Sequence, residues 1–379
     1  MKVMMLIPHF GQGGDWVIVR QLARQLERMA TYNVRINGLP ARSLLANSAA
    51  PNPMPLNQGL KGLGESWRLR HSVPRDTDII HAHSPNALVF AWLLRRFHCK
   101  RARIAFTLHW PVPDNALRRM IKKNIFRLPD EFHAHSLASK LILSKDFGVH
   151  DDKIKLIYLG VPADKFVPYS KKDKWTLQET TGIPPGHPVI GYVGRLSTEK
   201  NVSFLINFLK RQSKRFPHLK CVIAGAGDCE NKLREAARSS LCANRVYFLG
   251  YTNKPQTIYP LIDLHILPST FESFALSVVE AAFCNVPTLR SNVEGSKDQI
   301  DDGVDGFLFD IAGGYDAFEA KLIEVLDQQW PRLAAVGAAS RERCAHLCDM
   351  EIYIERMDKF YRGLQAIPSR ASLATEGGI

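Results

Sequence analysis

Two carboxylates separated by seven residues, Glu272 and Glu280, and two cations five positions apart, Arg195 and Lys200, are the side chains of this 379-residue chain whose types and spacing could do chemistry together. The cations lie in the run Gly194-Arg195-Leu196-Ser197-Thr198-Glu199-Lys200-Asn201, directly after the apolar stretch Val189 to Val193. Cations at the mouth of a parallel strand face the crevice where open α/β sheets bind ligands, and a diphosphate suits them. At about 4 Å and an effective dielectric near 20, each such charge pair is worth roughly 4 kcal/mol before desolvation is subtracted. The plainer alternative is a solvated loop with an ordinary salt bridge from Glu199 to Lys200 or Arg195. Glu272 follows a second apolar stretch, Asp263 to Leu267, and a helix is predicted to begin near Phe274, with Glu280 further along it. Amides at Phe274, Ala275 and Leu276 would then form a helix N-terminus able to bind phosphate. The two acids could accept hydrogen bonds from sugar hydroxyls on either side of it; the bland counterpart is a capping Glu272 and a solvated Glu280.

Other motifs are weaker. Gly11, Gly13 and Gly14 follow the first apolar run, but the dinucleotide fingerprint would need glycine where Trp16 stands. The loop still permits close backbone approach to a ligand. His81 with His83, and His133 with His135, share strand faces without Cys or carboxylate companions at a ligand spacing, so no metal site is expected. Asp76 and Asp78 lead into a strand and are read as starting it.

The elements that must position these residues are short apolar runs alternating with helix-length segments. One series comprises Met1 to Pro8, Asp78 to His83, Arg103 to His109, Glu131 to Ser136 and Lys155 to Tyr158. A second comprises Val189 to Val193, Lys220 to Ala224, Arg245 to Leu249, Asp263 to Leu267 and Val286 to Leu289. Such alternation implies parallel sheets with helices on both faces, hence two doubly wound Rossmann-like α/β domains in tandem. The expected boundaries are 1–168 and 177–350, with the polar, basic stretch 167–176 as linker and a last helix, about 351–364, crossing back to the first domain.

The formal net charge of +13 is unevenly placed: residues 1–170 carry 25 Lys and Arg against 12 Asp and Glu, whereas the remainder balances. An N-terminal half so basic is expected to meet something anionic. Its densest part, Arg118, Arg119, Lys122, Lys123 and Arg127, is interleaved with Leu117, Ile121, Ile125 and Leu128, which share a helical face. That pattern suits a helix lying on an anionic membrane, and equally a buried stripe with a solvated basic rim. Seven cysteines without a Cys-x-x-Cys pair are read as reduced thiols of a cytoplasmic protein. The first residues are too short an apolar run for a signal peptide, and the longest run, Ala87 to Leu94, is too short to cross a bilayer.

The Gly194-to-Asn201 run together with Glu272, seven residues and Glu280 resembles the nucleotide-sugar site of retaining glycosyltransferases of family 4, which have the GT-B fold, two Rossmann-like domains facing a central cleft. Supporting matches are the glycine loop at 11–14, Asp78 to His83, Ala224 to Asp228, Phe248 to Gly250, and Gly303 to Phe307. The resemblance implies that Gly194, Arg195 and Lys200 bind the donor diphosphate, Glu280 the ribose hydroxyls and Glu272 the hexose. It implies that the amides of Phe274, Ala275 and Leu276 meet the distal phosphate and sugar, that Gly13 and Gly14 close over the donor, and that Gly250 borders the base. His109 matches a position near the reacting sugar carbon; by itself a strand-end histidine reads as a packed, hydrogen-bonded residue. Leu159 to Pro162 departs from a commoner Asn-Gly-Val-Asp, and Ala275 replaces a commoner glycine. The expectation is a hexosyltransferase that uses a nucleotide sugar, with UDP as the expected nucleotide, without metal or other cofactor. The acceptor would be a saccharide or lipid-linked precursor of lipopolysaccharide, O-antigen or capsule, met at the inner membrane face. Its rivals are a GT-B sugar-nucleotide epimerase, a non-enzymatic basic protein binding nucleic acid or anionic membrane, and a catalytically dead partner subunit; nucleic acid is not the expected partner, since no RNP, HTH or KH pattern is evident.

Overall fold

The structure, a computed structural model, describes residues 1–7, 14–38, 69–109, 116–238 and 242–367. The chain divides into two compact units, 1–159 with 351–379, and 160–350.

The first unit contains a six-stranded parallel sheet ordered β2-β1-β3-β4-β5-β6. Its strands are β1 (Lys2–Ile7), β2 (Asn33–Gly38), β3 (Ile79–Ala82), β4 (Arg103–Thr107), β5 (Glu131–Ala134) and β6 (Ile154–Leu156). The connecting helices are α1 (Gly14–Arg28), α2 (Pro85–Phe97), α3 (Ala116–Ile125) and α4 (Leu137–Leu141). Ser84 caps α2 by accepting from the Ala87 amide at 3.2 Å, with Pro85 at the first helical position, where its missing N–H costs nothing. β1, β3 and β4 are buried on both faces, which is why they read as unbroken apolar runs. Asp78 accepts the Lys2 amide at 2.7 Å and so does start β3 alongside β1.

In the second unit, α5 (Lys171–Thr180), capped by Ser170, occupies the stretch expected to be a linker. The hydroxyl of Ser170 nucleates the helix at a sequence with no apolar periodicity to announce it. The strands are β7 (Val189–Val193), β8 (Lys220–Ala224), β9 (Val246–Gly250), β10 (Leu264–Leu267), β11 (Thr288–Ser291) and β12 (Phe307–Phe309). The helices are α6 (Ser203–Arg211), α7 (Glu230–Arg238), α8 (Leu276–Phe283), α9 (Ser296–Gln299), α10 (Gly314–Glu324) and α11 (Leu333–Cys348). The last helix, α12 (Met350–Ala366), belongs almost wholly to the first unit.

The order β12-β11-β10-β7-β8-β9 is that of a Rossmann sheet, and it reverses between β7 and β10. The crevice at such a switch point lies outside the carboxyl ends of those two strands. They are the strands that end at Val193 and Leu267, where the two chemistry-bearing runs begin.

Candidate active site

The loops after β7 and β10 are fastened to each other before any ligand is considered. The Thr270 amide donates to the Glu199 carbonyl at 2.8 Å, and Asn201 Nδ2 donates to the Pro268 carbonyl at 2.9 Å. Behind them, Gly225 (φ +145°) lies so close that a Cβ there would sit 1.8 Å from the Gly194 carbonyl oxygen. Only glycine lets the β8 loop nest under the β7 loop. Within this frame Lys200 Nζ donates to Glu272 Oε1 at 2.6 Å, and the same oxygen accepts from Ser269 Oγ at 2.9 Å. The pair is largely buried, the side chains being 14% and 10% exposed. Lys200 therefore pairs across the crevice and not with its neighbour; Glu199 accepts from Ser197 Oγ at 2.6 Å. Arg195 is exposed, its carbonyl held by the Tyr192 hydroxyl at 2.6 Å, and its guanidinium makes no ion pair among the described residues.

Helix α8 starts at Leu276, with Ala275 as its N-cap residue in extended conformation. The expected role of the Ala275 amide needs correction. That N–H already donates to Gln299 Oε1 at 3.2 Å, while Gln299 Nε2 donates back to the Ala275 carbonyl at 2.9 Å. Gln299 thus clamps both sides of the residue, and its amide is not free for a phosphate. Leu276 and Ser277, in the first turn, have no helical carbonyl behind them and remain as donors. Gln299 is itself held by Arg290, whose Nη1 donates to Oε1 at 2.6 Å. Arg290 is fully buried, and its Nε and Nη2 have no partner among the described residues. Burial lowers it to about 10, with Glu272 and Asp298 acting the other way, so it remains a cation beneath the crevice. The one sign of it in the sequence is an arginine beside an otherwise apolar strand run. Gly295 (φ +80°) completes the floor: a Cβ would come within 2.5 Å of the Ser273 carbonyl oxygen.

Glu280 is half-buried and accepts from the Tyr259 hydroxyl at 2.7 Å. Burial pushes its carboxyl up to about 7, against the opposing pull of that hydrogen bond. Gly250 ends β9 in left-handed conformation (φ +71°), its carbonyl accepting from the Gly225 amide at 2.8 Å. The second unit thus brings Gly194, Lys200 and Glu272 together at the switch point and puts Glu280 on the helix that leaves it.

The first unit gathers five buried histidines at the carboxyl ends of β3, β4 and β5: His81, His83, His109, His133 and His135. The inner members form a hydrogen-bond chain with one possible direction. His133 Nε2 meets the Ile157 carbonyl at 2.8 Å and must donate, so its Nδ1 accepts from Thr107 Oγ1 at 3.0 Å. Thr107 in turn accepts from His81 Nε2 at 2.7 Å, and His81 Nδ1 accepts from the Tyr361 hydroxyl of α12 at 2.7 Å. Burial holds His81 well below its usual range and lowers His133 to about 4, so both rings are neutral. Among the described residues no group of three or more His, Cys, Asp or Glu is arranged to hold a metal.

Gly11 and Gly13 lie outside the described residues, as does the side chain of Arg118; Gly14 opens α1. The expected apolar face of α3 is only partly buried. Ile125 and Leu128 pack on the core with Phe126, whereas Met120 and Ile121 are exposed (58% and 42%). They lie among Arg119, Lys123 and Arg127, also exposed, while Lys122 is half-buried.

Two family models match the chain in succession: Glycosyltransferase Family 4 over residues 12–187 and Glycosyl transferases group 1 over 173–343. An uncharacterized glycosyltransferase of Methanocaldococcus jannaschii is 29% identical over 163 residues, 42% of either chain. UDP-Gal:alpha-D-GlcNAc-diphosphoundecaprenol alpha-1,3-galactosyltransferase of Escherichia coli is 26% identical over 263 residues, 66% of this chain and 67% of that protein. Among solved structures, Anabaena HepE in complex with UDP and glucose superimposes with a TM-score of 0.77 at 19% identity, covering 95% of this chain and 99% of that one. The two family matches, end to end over a site built at the β7/β10 switch point, make this chain a glycosyltransferase of the family 4 type with the GT-B fold.

Proposed function

We propose that the protein transfers a hexosyl group, with retention of configuration, from a UDP-sugar to a hydroxyl of a saccharide or lipid-linked acceptor in the assembly of a cell-surface polysaccharide such as lipopolysaccharide, O-antigen or capsule. The observation that carries this reading is the buried Lys200–Glu272 pair in the switch-point crevice, flanked by Arg195 and the first turn of α8. A diphosphate entering there exchanges one anionic partner of Lys200 for another and frees Glu272 for the sugar hydroxyls. Glu280 takes the ribose. The galactosyltransferase relative acts from UDP-Gal, and HepE holds UDP and glucose. As the donor's glycosidic bond breaks, the leaving phosphate takes the acceptor proton on the same face of the sugar, while Lys200, Arg195 and the amides of Leu276 and Ser277 stabilise its charge. Those groups supply the charge that a metal would, so no metal is needed.

The test is thermal unfolding against UDP, GDP, ADP and their common sugars in EDTA. One nucleotide should stabilise by about 2.7 kcal/mol at a hundred times its Kd. Anomeric NMR of the product then reads retention. No shift with any nucleotide would sink the assignment.

The acceptor is met at the inner membrane face, through Met120 and Ile121 with Arg119, Lys123 and Arg127 around them. No helix among the described residues is long and apolar enough to cross a membrane. Each base near an anionic surface contributes about 1 kcal/mol, lost with salt. The protein should sediment with phosphatidylglycerol vesicles at low salt, and Met120→Ser with Ile121→Ser should weaken this; binding to neutral vesicles alone, or to neither, removes the membrane role.

A further inference from the structure

Arg290 stands where packing alone would put an apolar residue. It is fully buried on β11, and its partners in register on the flanking strands are Leu267 of β10 and Leu308 of β12. A guanidinium carries five N–H donors, yet this one makes a single hydrogen bond among the described residues, to a neutral amide, Gln299 Oε1 at 2.6 Å. Its Nε and Nη2 find no acceptor among those residues. A buried donor without an acceptor destabilises a fold, and more so when it is charged, so stability does not account for Arg290.

Its effect is to fix one orientation of Gln299. Oε1 receives two groups that can only donate, Arg290 Nη1 and the Ala275 N–H at 3.2 Å, while Nε2 donates to the Ala275 carbonyl at 2.9 Å. Turned over, the amide would set its NH2 against two donors and its oxygen against a carbonyl. Glutamate could not take the place of Gln299, because its second oxygen would face that carbonyl and its charge would cancel that of Arg290. Ala275 is the N-cap residue of α8 and has no side chain with which to cap. A serine or aspartate there would fix the first turn by covering an amide of that turn. The clamp fixes the turn from behind and leaves the amides of Leu276 and Ser277 uncovered. Arg290, Gln299 and Ala275 all lie in the second unit.

We propose that Arg290 is a positioning residue for the donor's distal phosphate: through Gln299 it holds Ala275 so that the Leu276 and Ser277 amides are fixed in place and open to an anion. This rests on the UDP-sugar reading above, in which those amides meet the phosphate that leaves. A nucleoside monophosphate lacks that group. The contribution of Arg290 is therefore confined to diphosphates.

Arg290→Met removes the guanidinium and creates no new orphan, because Gln299 Oε1 keeps the Ala275 N–H. The variant should melt at or above wild type. Calorimetric titration should show UDP bound about tenfold more weakly, the order of an anion's interaction with a partly buried helix terminus, and UMP bound as before. Gln299→Glu, which has the same shape, should show the same selective loss. In the absence of nucleotide, hydrogen exchange at the Ala275 amide should be slow in wild type and faster in Arg290→Met. An Arg290→Met protein that fails to fold or melts well below wild type makes Arg290 a structural residue and overturns the proposal. Equal weakening of UDP and UMP, or UDP affinity unchanged in either variant, overturns it as well. If wild type binds neither nucleotide while exchange at Ala275 still quickens in Arg290→Met, the UDP-sugar reading falls and the clamp stands.

Discussion

Lys200→Ala should cost turnover about 10²- to 10³-fold and, unusually for a ligand-binding lysine, should also lower the melting temperature. The rate loss follows from removing a cation placed at the phosphate that leaves. The stability loss follows from the other end of the pair: Glu272 is 8% exposed and would keep only the Ser269 hydroxyl as a partner at the oxygen Lys200 now binds. Stranding one member of a buried ion pair costs about 3–5 kcal/mol, whereas replacing both members by neutral groups is often close to neutral. Lys200→Met with Glu272→Gln should therefore melt near wild type while remaining inactive. Chemical melts and initial rates on the three proteins decide it. If Lys200→Ala melts like wild type, the pair is solvated and its binding role is electrostatically minor.

Nucleotide affinity should rise with pH up to about 7 and level off above it. Glu280 sits at about 7 in the folded protein against an ordinary value near 4.5. A carboxyl raised in this way favours the protonated folded state. Its contribution to stability is present below the unfolded value and is lost as pH climbs from about 4.5 to about 7. A ribose diol brings two donors, which the ionised carboxylate accepts best, so binding drives off the proton. Calorimetric titration of UDP in buffers of different ionisation enthalpy should show close to one proton released per nucleotide below the inflection. Glu280→Gln should abolish that release, and Glu280→Ala should weaken binding about ten- to a hundredfold, the range of a hydrogen bond to a charged group. A flat affinity profile in wild type would mean that Glu280 does not meet the ribose.

Both predictions use residues visible as a spaced pair of acids and a pair of cations, but not the partners that give them their properties. Lys200 and Glu272 are 72 positions apart, and nothing in their neighbourhoods announces that one closes on the other. Their meeting follows from the adjacency of β7 and β10, a property of strand order that periodicity does not carry. The strands themselves were legible where both faces are buried: Val189–Val193 and Lys220–Ala224 coincide with their apolar runs. Asn33–Gly38 at one sheet edge and the three-residue Phe307–Phe309 at another were not, since an edge strand alternates and a short one has no period. Arg290 was hidden for a different reason. A buried guanidinium bound to Gln299 contradicts the rule that strand interiors are apolar, so a reading by rule passes over it. The clamp it forms on Ala275 explains why a phosphate must look one residue further into α8.

The chain that runs from Tyr361 through His81, Thr107 and His133 to the Ile157 carbonyl has a consequence in time as well as in space. Its first donor is encoded more than 200 residues after its last acceptor. During synthesis the sheet of the first unit emerges early, with His81 lacking the hydroxyl it needs in a dry interior. The second unit, 160–350, has all its residues before α12 exists. At about 5–20 residues per second, the gap is roughly 10–40 seconds. The first unit is thus completed only after the second has been synthesised, and until then it carries an unfilled seam that α12 closes.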